Sequence, residues 1–305
     1  LKDQNGLNLD LKFESSLIKK SMNFRTILIL LIFSISPAIS ADIKDNLLDK
    51  SSDLISEFVS NLIPGDGTTE VSLDLRENHK PDFSILGVRE LKKLENGNYF
   101  TQFSLMNTEQ ANDERFVGNL GIGTRRLSDD NTLMSGLNAF LDYDDNENLR
   151  ASIGAEIRSA VVDLTTNYYQ KIANGSGEKV LDGYDYQLSS QVPYLEWASI
   201  FYGGYKWSGV VRDDIEGAKY GSELFLSPTI SLEFAYDDKK LKGLEDEWYA
   251  RLLLTYPPRQ GPTAQDGISS TAWKTEKDMS DQLLTKVKRQ NKIMVEFDGL
   301  ATISR

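Results

Sequence analysis

The sequence predicts an all-β protein, namely a twelve-stranded antiparallel transmembrane β-barrel preceded by a short N-terminal amphipathic helix. Three observations support this fold class: apolar and polar residues alternate along many short segments, turn-forming residues separate the segments, and aromatic residues recur near their ends. A strand with lipid on one side and water on the other has this period of two. A soluble sheet packed on a core also alternates. The density of Gly, Asn and charged residues on the polar side favours the membrane barrel.

The alternation is clearest in three consecutive segments between residues 115 and 158. In segment 149–158 the odd-numbered positions are all apolar, and the even-numbered positions carry three charged residues, a serine and a glycine. Segments 115–126 and 132–144 divide in the same way, and the next candidate strand, 161–170, continues the pattern. We therefore expect the polar side of these strands to line the barrel interior. The predicted interior residues are Asn119, Arg125, Asn138, Asp142, Arg150, Glu156, Arg158, Asp163 and Asn167.

Twelve strand candidates lie between residues 70 and 256, and twelve is an even number, as bacterial single-chain barrels require. Breaks such as 95–98 and 144–148 are rich in Asn, Asp and Gly, which form turns. Aromatic residues near strand ends, among them Phe100, Tyr169 and Trp207, are predicted to form girdles at the two membrane interfaces. The later strand candidates are 184–192, 198–207, 220–226, 229–236 and 248–256.

The composition narrows the chemistry. The 305 residues include no cysteine, which excludes thiol catalysis, disulfides and thiolate metal sites. The formal net charge of -12, without a cluster of Lys and Arg, argues against nucleic acid as a partner. The single histidine, His79, precedes Pro81 in a predicted turn, so a histidine-dependent catalytic triad has only this residue to draw on. We expect no enzyme activity and assign no catalytic, cofactor-binding or metal-binding residue.

The amino-terminal region predicts export from the cytoplasm. Residues 22–41 begin with Met22 and a positive charge at Arg25, continue with an apolar run at 27–33, and end in small residues. This order is typical of a secretory signal peptide. The apolar run is too short for a transmembrane helix, which needs about 20 residues. Residues 1–21 are interpreted as an upstream gene-start extension, with the true product beginning at Met22.

Residues 42–67 have helical instead of strand periodicity, because apolar residues recur at spacings of three and four until Pro64. The strand period begins directly after this breaker, with Val71 and Leu73 on one side. A periplasmic helix is therefore predicted here. It either plugs the barrel mouth or packs at the entrance, and the second arrangement is favoured. The barrel itself is predicted at 68–257.

Residues 116–126, 133–144 and 151–156 resemble the most recognisable block of the inverse autotransporter β-domain of the intimin and invasin adhesins. These stretches read FVGNLGIGTRR, LMSGLNAFLDYD and ASIGAE. The resemblance covers residues 45–300 and is weak at 206–247. It implies a barrel in the outer membrane of a Gram-negative-type bacterium, with a periplasmic amino terminus and a pore threaded by a linker to an exported passenger. The implied partners are outer-membrane lipid, the outer-membrane assembly machinery, periplasmic chaperones and the chain's own linker in the pore.

The carboxy-terminal stretch 258–305 is predicted to be that linker, since residues 287–297 are similar to the family segment that follows the barrel. The sequence ends at Arg305 without Ig-like or lectin-like repeats, so we interpret it either as truncated or as a short member of the family. The predicted interior residues are expected to contact the linker. The expected function is a translocator that exports or displays a carboxy-terminal, adhesin-type segment. The alternative is a stand-alone outer-membrane barrel acting as a passive pore or structural protein, and a third interpretation is a soluble β-rich periplasmic binder.

Overall fold

The computed structural model describes residues 65–77, 79–110, 113–240, 246–275 and 277–297. The predicted upstream extension, the signal peptide and the predicted helix up to Pro64 lie outside these ranges. Gly65 and Asp66 form a bend and Gly67 begins the first strand, so the last part of the predicted helix is not helical. Within the described ranges, no helix is long and apolar enough to cross a membrane.

Strands account for most of the described chain. They are β1 Gly67–Arg76, β2 Asp82–Leu94, β3 Gly97–Gln110, β4 Asp113–Leu127, β5 Leu133–Asp144, β6 Leu149–Ser159, β7 Val162–Ala173, β8 Glu178–Val180, β9 Asp182–Val192, β10 Leu195–Ser208, β11 Ile215–Phe225, β12 Ile230–Lys239, β13 Glu247–Tyr256 and β14 Val295–Phe297. Two short 3₁₀ turns lie at Ala264–Asp266 and Met279–Gln282.

Twelve of these strands close into one antiparallel barrel, in the order β1-β13-β12-β11-β10-β9-β7-β6-β5-β4-β3-β2. The seam pairs β1 with β13, from Thr69 opposite Tyr256 to Arg76 opposite Tyr249. Closure leaves none of the twelve strands with a free hydrogen-bonding edge. The predicted twelve-stranded antiparallel barrel is therefore confirmed. The strands β8 and β14 pair with each other outside the barrel sheet.

Side chains point in the directions that the alternation predicts. On the outer side, Leu137 and Ile153 are 63% and 64% exposed, whereas Arg125 and Arg150 on the inner side are fully buried. This distribution is the reverse of a soluble protein, in which arginine is almost never fully buried unless it is paired. The outer apolar surface suits hydrocarbon. The inner polar residues need hydrogen-bond partners, because an unpartnered polar group loses its hydration on burial with nothing to offset the cost.

The barrel has two ends. The first end holds the start of β1 and the end of β13, and the second end holds the connections that follow β1, β5 and β7. After Tyr256, residues 257–275 stay at the first end, and Met279 N then donates to Asn131 O at 2.8 Å beside the β4–β5 turn. The chain next runs through the interior until β14 meets β8 at the second end. We call residues 279–297 the threaded segment.

Apolar residues of the threaded segment complete the packed clusters inside the barrel. Val287 belongs to one cluster, Met294 to a second, and Ile293 and Val295 to a third. The other members of these clusters are, in the same order, Leu86, Val88, Phe100 and Phe140; Tyr169, Leu181, Trp207 and Ile215; and Met106, Val117 and Val180. The apolar packing inside the barrel therefore joins the wall to the threaded segment.

The predicted girdle is wrong for three of its aromatic residues. Phe100, Tyr169 and Trp207 face inward and are buried. Successive residues of a strand face opposite sides, so Tyr99 and Tyr168, beside the first two, are the ones exposed on the outer face. Position near a strand end therefore did not decide which aromatic residue meets the membrane.

The strand predicted at 220–226 also starts too late, because β11 begins at Ile215. Gly217 and Ala218 carry too little side chain to show an alternation, and the residues around them are polar. This stretch lies where the family resemblance is weak.

Candidate functional site: the occupied barrel interior

The nine residues predicted to line the interior all lie on the inner side of β4 to β7. Eight of them are buried, and Asp163 keeps 26% of its side chain exposed. Eight take part in hydrogen bonds or ion pairs that involve the threaded segment or each other. Asp163 lies 3.9 Å from the Lys288 ammonium. Neither polar side-chain atom of Asn138 has a hydrogen-bond partner among the described residues.

Asp142 is the centre of the polar interior. Its carboxylate accepts from Arg150 Nε at 2.9 Å and from Asn119 Nδ2 at 2.8 Å, both on the barrel wall. It also accepts from Arg289 of the threaded segment, through Nη1 at 2.9 Å and Nη2 at 2.7 Å. The side chains of Asp142, Arg150 and Arg289 are fully buried. A buried carboxylate of this kind is stable only because the two guanidinium groups supply charge and donors.

A second buried charge cluster lies nearer the first end. Arg125 Nε donates to Glu156 at 2.6 Å, and Arg158 Nη2 lies 2.6 Å from the other oxygen of Glu156. Arg125 also donates through Nη1 to the backbone carbonyls of Leu283 and Thr285, at 2.8 and 2.7 Å. The cluster therefore fixes the point where the threaded segment enters the interior.

The wall binds the backbone of the threaded segment along its length. Wall side chains donate hydrogen bonds to backbone carbonyls of the segment, and every residue type provides such a carbonyl. Six such bonds are Arg125 to Thr285 at 2.7 Å, Arg158 to Lys286 at 2.8 Å, Asn167 to Lys288 at 3.0 Å, Arg150 to Gln290 at 2.7 Å, Asn119 to Asn291 at 3.0 Å and Gln110 to Ile293 at 3.1 Å. Five of the six donors are among the residues predicted from sequence.

Three cationic side chains of the threaded segment, spaced three residues apart, each meet a wall carboxylate. The Lys286 ammonium lies 2.7 Å from Glu70, Arg289 2.7 Å from Asp142, and the Lys292 ammonium 2.6 Å from Asp82. Of these carboxylates, only Asp142 is among the interior residues predicted from the sequence. The other two lie on β1 and β2. Glu70 shares the side of Ser72 in β1, so the alternation offered a signal there, whereas in β2 apolar residues such as Ile85 and Leu86 occur on both sides.

Wall residues outside the predicted set accept hydrogen bonds from the segment's backbone. Gln102 Oε1 accepts from Val287 N at 2.7 Å, and the Tyr169 hydroxyl accepts from Gln290 N at 2.7 Å. Gln102 occupies an inward position of the regular alternation in β3, which is a signal that sequence alone offered. Tyr169 lies two residues after the predicted interior residue Asn167, so the same period placed it inward, although its position near a strand end led to the girdle prediction.

Asp278 shapes the entry outside the barrel strands. Its carboxylate accepts from Ser280 N at 2.8 Å and so caps the 3₁₀ turn Met279–Gln282. The backbone and side-chain hydrogen bonds from Ser280 hold the pKa of Asp278 below its ordinary value, because they favour the charged carboxylate. Met279 is buried directly after the cap. The turn thus redirects the chain into the interior.

The interior is filled unevenly. Most contacts of the threaded segment are with β2 to β7, and a cavity of about 280 Å³ remains on the side of β9 to β13 and β1. Its wall is charged: Arg251 lies 2.7 Å from Asp74 and 3.4 Å from Glu233, and the Tyr205 hydroxyl donates to Asp237 at 2.8 Å. In the part of the chain that the structure describes, no cluster of His, Cys, Asp and Glu is arranged to hold a metal ion.

Fold and interior together define a class of protein: a membrane-spanning β-barrel whose pore is occupied by its own carboxy-terminal segment. The family model of the inverse autotransporter β-domain matches residues 36–291, and the chain belongs to this family. The resemblance identified from the sequence is thereby confirmed. The family is one of translocator barrels and not of enzymes, and the protein is located in the outer membrane.

Solved structures with similar folds are barrels of low sequence identity. A membrane protein solved in a study of in-meso crystallization is 19% identical with a TM-score of 0.62, over 76% of this chain and 99% of the other. The KdgM porin in complex with disordered oligogalacturonate is 10% identical with a TM-score of 0.41, over 62% and 98%. An outer membrane channel from Pseudomonas putida F1 is 12% identical with a TM-score of 0.43, over 64% and 97%. The first similarity shows the barrel fold. No curated protein matches the sequence.

Proposed function

We propose that this protein is the translocator barrel of an intimin/invasin-like inverse autotransporter, which exports or displays the chain that follows its threaded segment. The observation that carries the proposal is the course of that segment. Gly67 and Tyr256 lie at the first end, whereas β14 pairs with β8 at the second end. The chain between Tyr256 and β14 therefore crosses the whole barrel inside the wall.

The interior contacts suit a chain that has to pass. Most wall donors bind backbone carbonyls, which every residue type provides, so the wall can accept many sequences in turn. Buried apolar contacts and three ion pairs add a preferred resting position. A wall that bound only specific side chains would hold one sequence and resist all others.

The family relationship supports an orientation in which the first end faces the periplasm and the second end faces the exterior. It also supports the outer-membrane assembly machinery and periplasmic chaperones as partners, since an outer-membrane barrel crosses the periplasm before it folds. The adhesin-type passenger remains part of this proposal, because adhesion would belong to residues outside the barrel.

Surface labelling of intact cells tests the proposal. An epitope added after Arg305 of the full chain is expected to bind antibody without permeabilisation. The same epitope inserted in the β5–β6 turn at 145–147 is the accessible control, and one inserted in the β2–β3 turn at 95–96 is the hidden control. If the epitope after Arg305 behaves like the one at 95–96, the chain is not displayed and the proposal is wrong.

The cavity beside the threaded segment supports a second candidate function, a passive pore. The two functions differ in planar bilayers. A translocator at rest is expected to conduct little with its segment in place, and to conduct more when residues 258–305 are deleted. A large, steady conductance of the full chain that the deletion leaves unchanged would favour the passive pore.

A further inference from the structure

The threaded segment is held at the second end by contacts of a different kind from those along the interior. Strand β14 pairs with β8, with Val295 opposite Val180 and Phe297 opposite Glu178. One residue earlier in the segment, the Met294 carbonyl accepts from Leu181 N at 2.9 Å. We call the site formed by residues 178–181 and the 210–211 backbone, with 293–297 bound, the exit clasp.

Side chains alternate between two apolar clusters within the exit clasp. Ile293 and Val295 enter one cluster, and Met294, between them, enters the other on the opposite side. Ile293 and Val295 are fully buried, and Met294 is 7% exposed. Because the period is two, a shift of one residue would move each side chain toward the wrong cluster.

Glu296 adds a polar contact that is specific for its position. Its side chain is almost fully buried, and Oε2 accepts from the backbone N–H groups of Val210 and Val211, at 3.2 and 3.0 Å. These two donors belong to the β10–β11 loop. A carboxylate therefore ties this loop across the mouth of the pore, where an apolar side chain would leave both donors without their acceptor.

The receiving strand β8 is itself braced against the wall. Glu178 accepts from both terminal nitrogens of Arg115, at 2.8 and 2.5 Å, and also from the side-chain amide of Asn148. Arg115 lies 3.3 Å from Asp144 as well. Bidentate pairing fixes the orientation of both partners. Within the exit clasp, β8 is thus held against the wall and pairs its edge with the extended strand β14.

The interior contacts alone do not define a single position of the segment. Carbonyl acceptors repeat at every residue. Three of the segment's ion pairs repeat every three residues, so a shift of three toward the second end puts Lys286 at Asp142 and Arg289 at Asp82. Two of these three ion pairs would survive a displacement of roughly 10 Å, at about 3.3 Å for each extended residue.

We propose that the exit clasp is a sequence-reading site that selects one register of the threaded segment, with Ile293, Met294, Val295 and Glu296 as its occupant. The proposal rests on the proposed function, in which the chain passes through the pore before it rests. A shift of three toward the second end would put Gln290, Asn291 and Lys292 into the apolar clusters. A shift toward the first end would put Glu296 there. Both place polar groups where no partner is available to them, so only one register satisfies the whole segment.

The absence of cysteine allows a register test by thiol crosslinking without background. The Lys288 ammonium lies 3.1 Å from Ser189 Oγ, so Ser189→Cys with Lys288→Cys reports the native register through a crosslinker about as long as a lysine side chain. Ser189→Cys combined with Thr285→Cys or Asn291→Cys reports shifts of three residues. The full chain, folded in lipid, carries each pair.

With the exit clasp intact, the 189/288 product is expected to dominate. In the clasp variant Met294→Ser with Val295→Ser, the ratio of shifted to native product is expected to rise at least about tenfold, because two buried apolar side chains are lost. Ile268→Ser is the control, since it removes an apolar side chain that is 79% exposed and lies outside both the exit clasp and the threaded segment. Two single substitutions of Glu296 test the need for its acceptor oxygen. Glu296→Gln keeps an acceptor and is expected to keep the native register, whereas Glu296→Leu lacks the acceptor and is expected to lose the native register.

The outcomes separate this inference from the proposed function. If shifted products stay absent in the clasp variants while 189/288 remains strong, the exit clasp does not select the register and the inference is overturned. If the 189/288 product fails to form even with the exit clasp intact, the segment does not rest in the pore, and the proposed function falls as well.

Discussion

Asp142→Asn tests whether ion pairing holds the threaded segment in the pore. Asp142 accepts from Arg150 on the wall and from Arg289 on the segment, and all three side chains are fully buried. Asparagine keeps an oxygen for Asn119 but supplies no charge, and it can turn N–H groups toward two guanidinium groups. In the occupied pore both arginines would then lack their carboxylate. After withdrawal of the segment, Arg289 is hydrated and only Arg150 remains unpaired.

The expected penalty on the seated state is therefore that of one uncompensated buried charge, about 3–5 kcal/mol. At 1.4 kcal/mol for each factor of ten, the equilibrium between seated and withdrawn segment shifts by roughly two to three and a half orders of magnitude. Single-channel recording of the full chain in planar bilayers measures this shift as the fraction of time spent in a high-conductance state.

Asp129→Asn is the matched control, because Asp129 lies exposed in the β4–β5 turn and loses the same charge. A second variant carries Asp142→Asn with Arg289→Met. It removes the unpaired cation from the segment and is expected to recover most of the closed time. If the fraction of time that Asp142→Asn spends in the high-conductance state stays within about twofold of that of Asp129→Asn, ion pairing at Asp142 does not hold the segment in the pore.

Two further predictions concern the wall. Ile153→Arg puts a charge on the outer face of β6, where Ile153 is 64% exposed. It is expected to lower the free energy of unfolding by about 2–4 kcal/mol in urea titrations of the barrel in lipid, with Ile153→Leu as the neutral control. Equal stability of the two variants would mean that this face does not meet hydrocarbon. Gly97→Ala is expected to cost at least about 1–3 kcal/mol, because Gly97 has φ +145 and an added Cβ would lie 1.9 Å from the Arg125 carbonyl oxygen. Gly177→Ala, with φ +73 and open space around the added Cβ, is expected to cost less in the same titration, and the reverse order would contradict this argument.

The regular strands were predictable because the residues buried inside this barrel are mostly polar, whereas those on its outer face are apolar. In β5 and β6 successive residues face lipid and lumen in turn. The sequence pattern therefore indicates that Leu137 and Ile153 face lipid and that Arg150 faces the lumen. Aromatic residues carry less information, since Tyr169 and Trp207 pack inside while Tyr168 faces outward. Tyrosine and tryptophan suit both an interface and a packed interior, so their type alone does not assign a side.

For the contacts of the threaded segment, only the wall residues were predictable from the sequence, and their partners in the segment were not. Arg125 and Arg150 sit in clear alternation, whereas the partners of Lys286 and Lys292 lie 216 and 210 positions away. No local pattern links such distant residues. The strands β8 and β14 are three residues long, too short for any periodicity, and they exist because each supplies the other's hydrogen bonds.

The β1–β13 seam has a consequence for how the pore acquires its occupant. Its registered partners Asp74 and Arg251 are 177 positions apart, so this pairing follows the formation of the intervening hairpins. Until it forms, the sheet is a curved trough with a lateral gap. A later stretch of chain that already lies along the trough is encircled when the gap shuts, and neither end of the polypeptide has to find a hole.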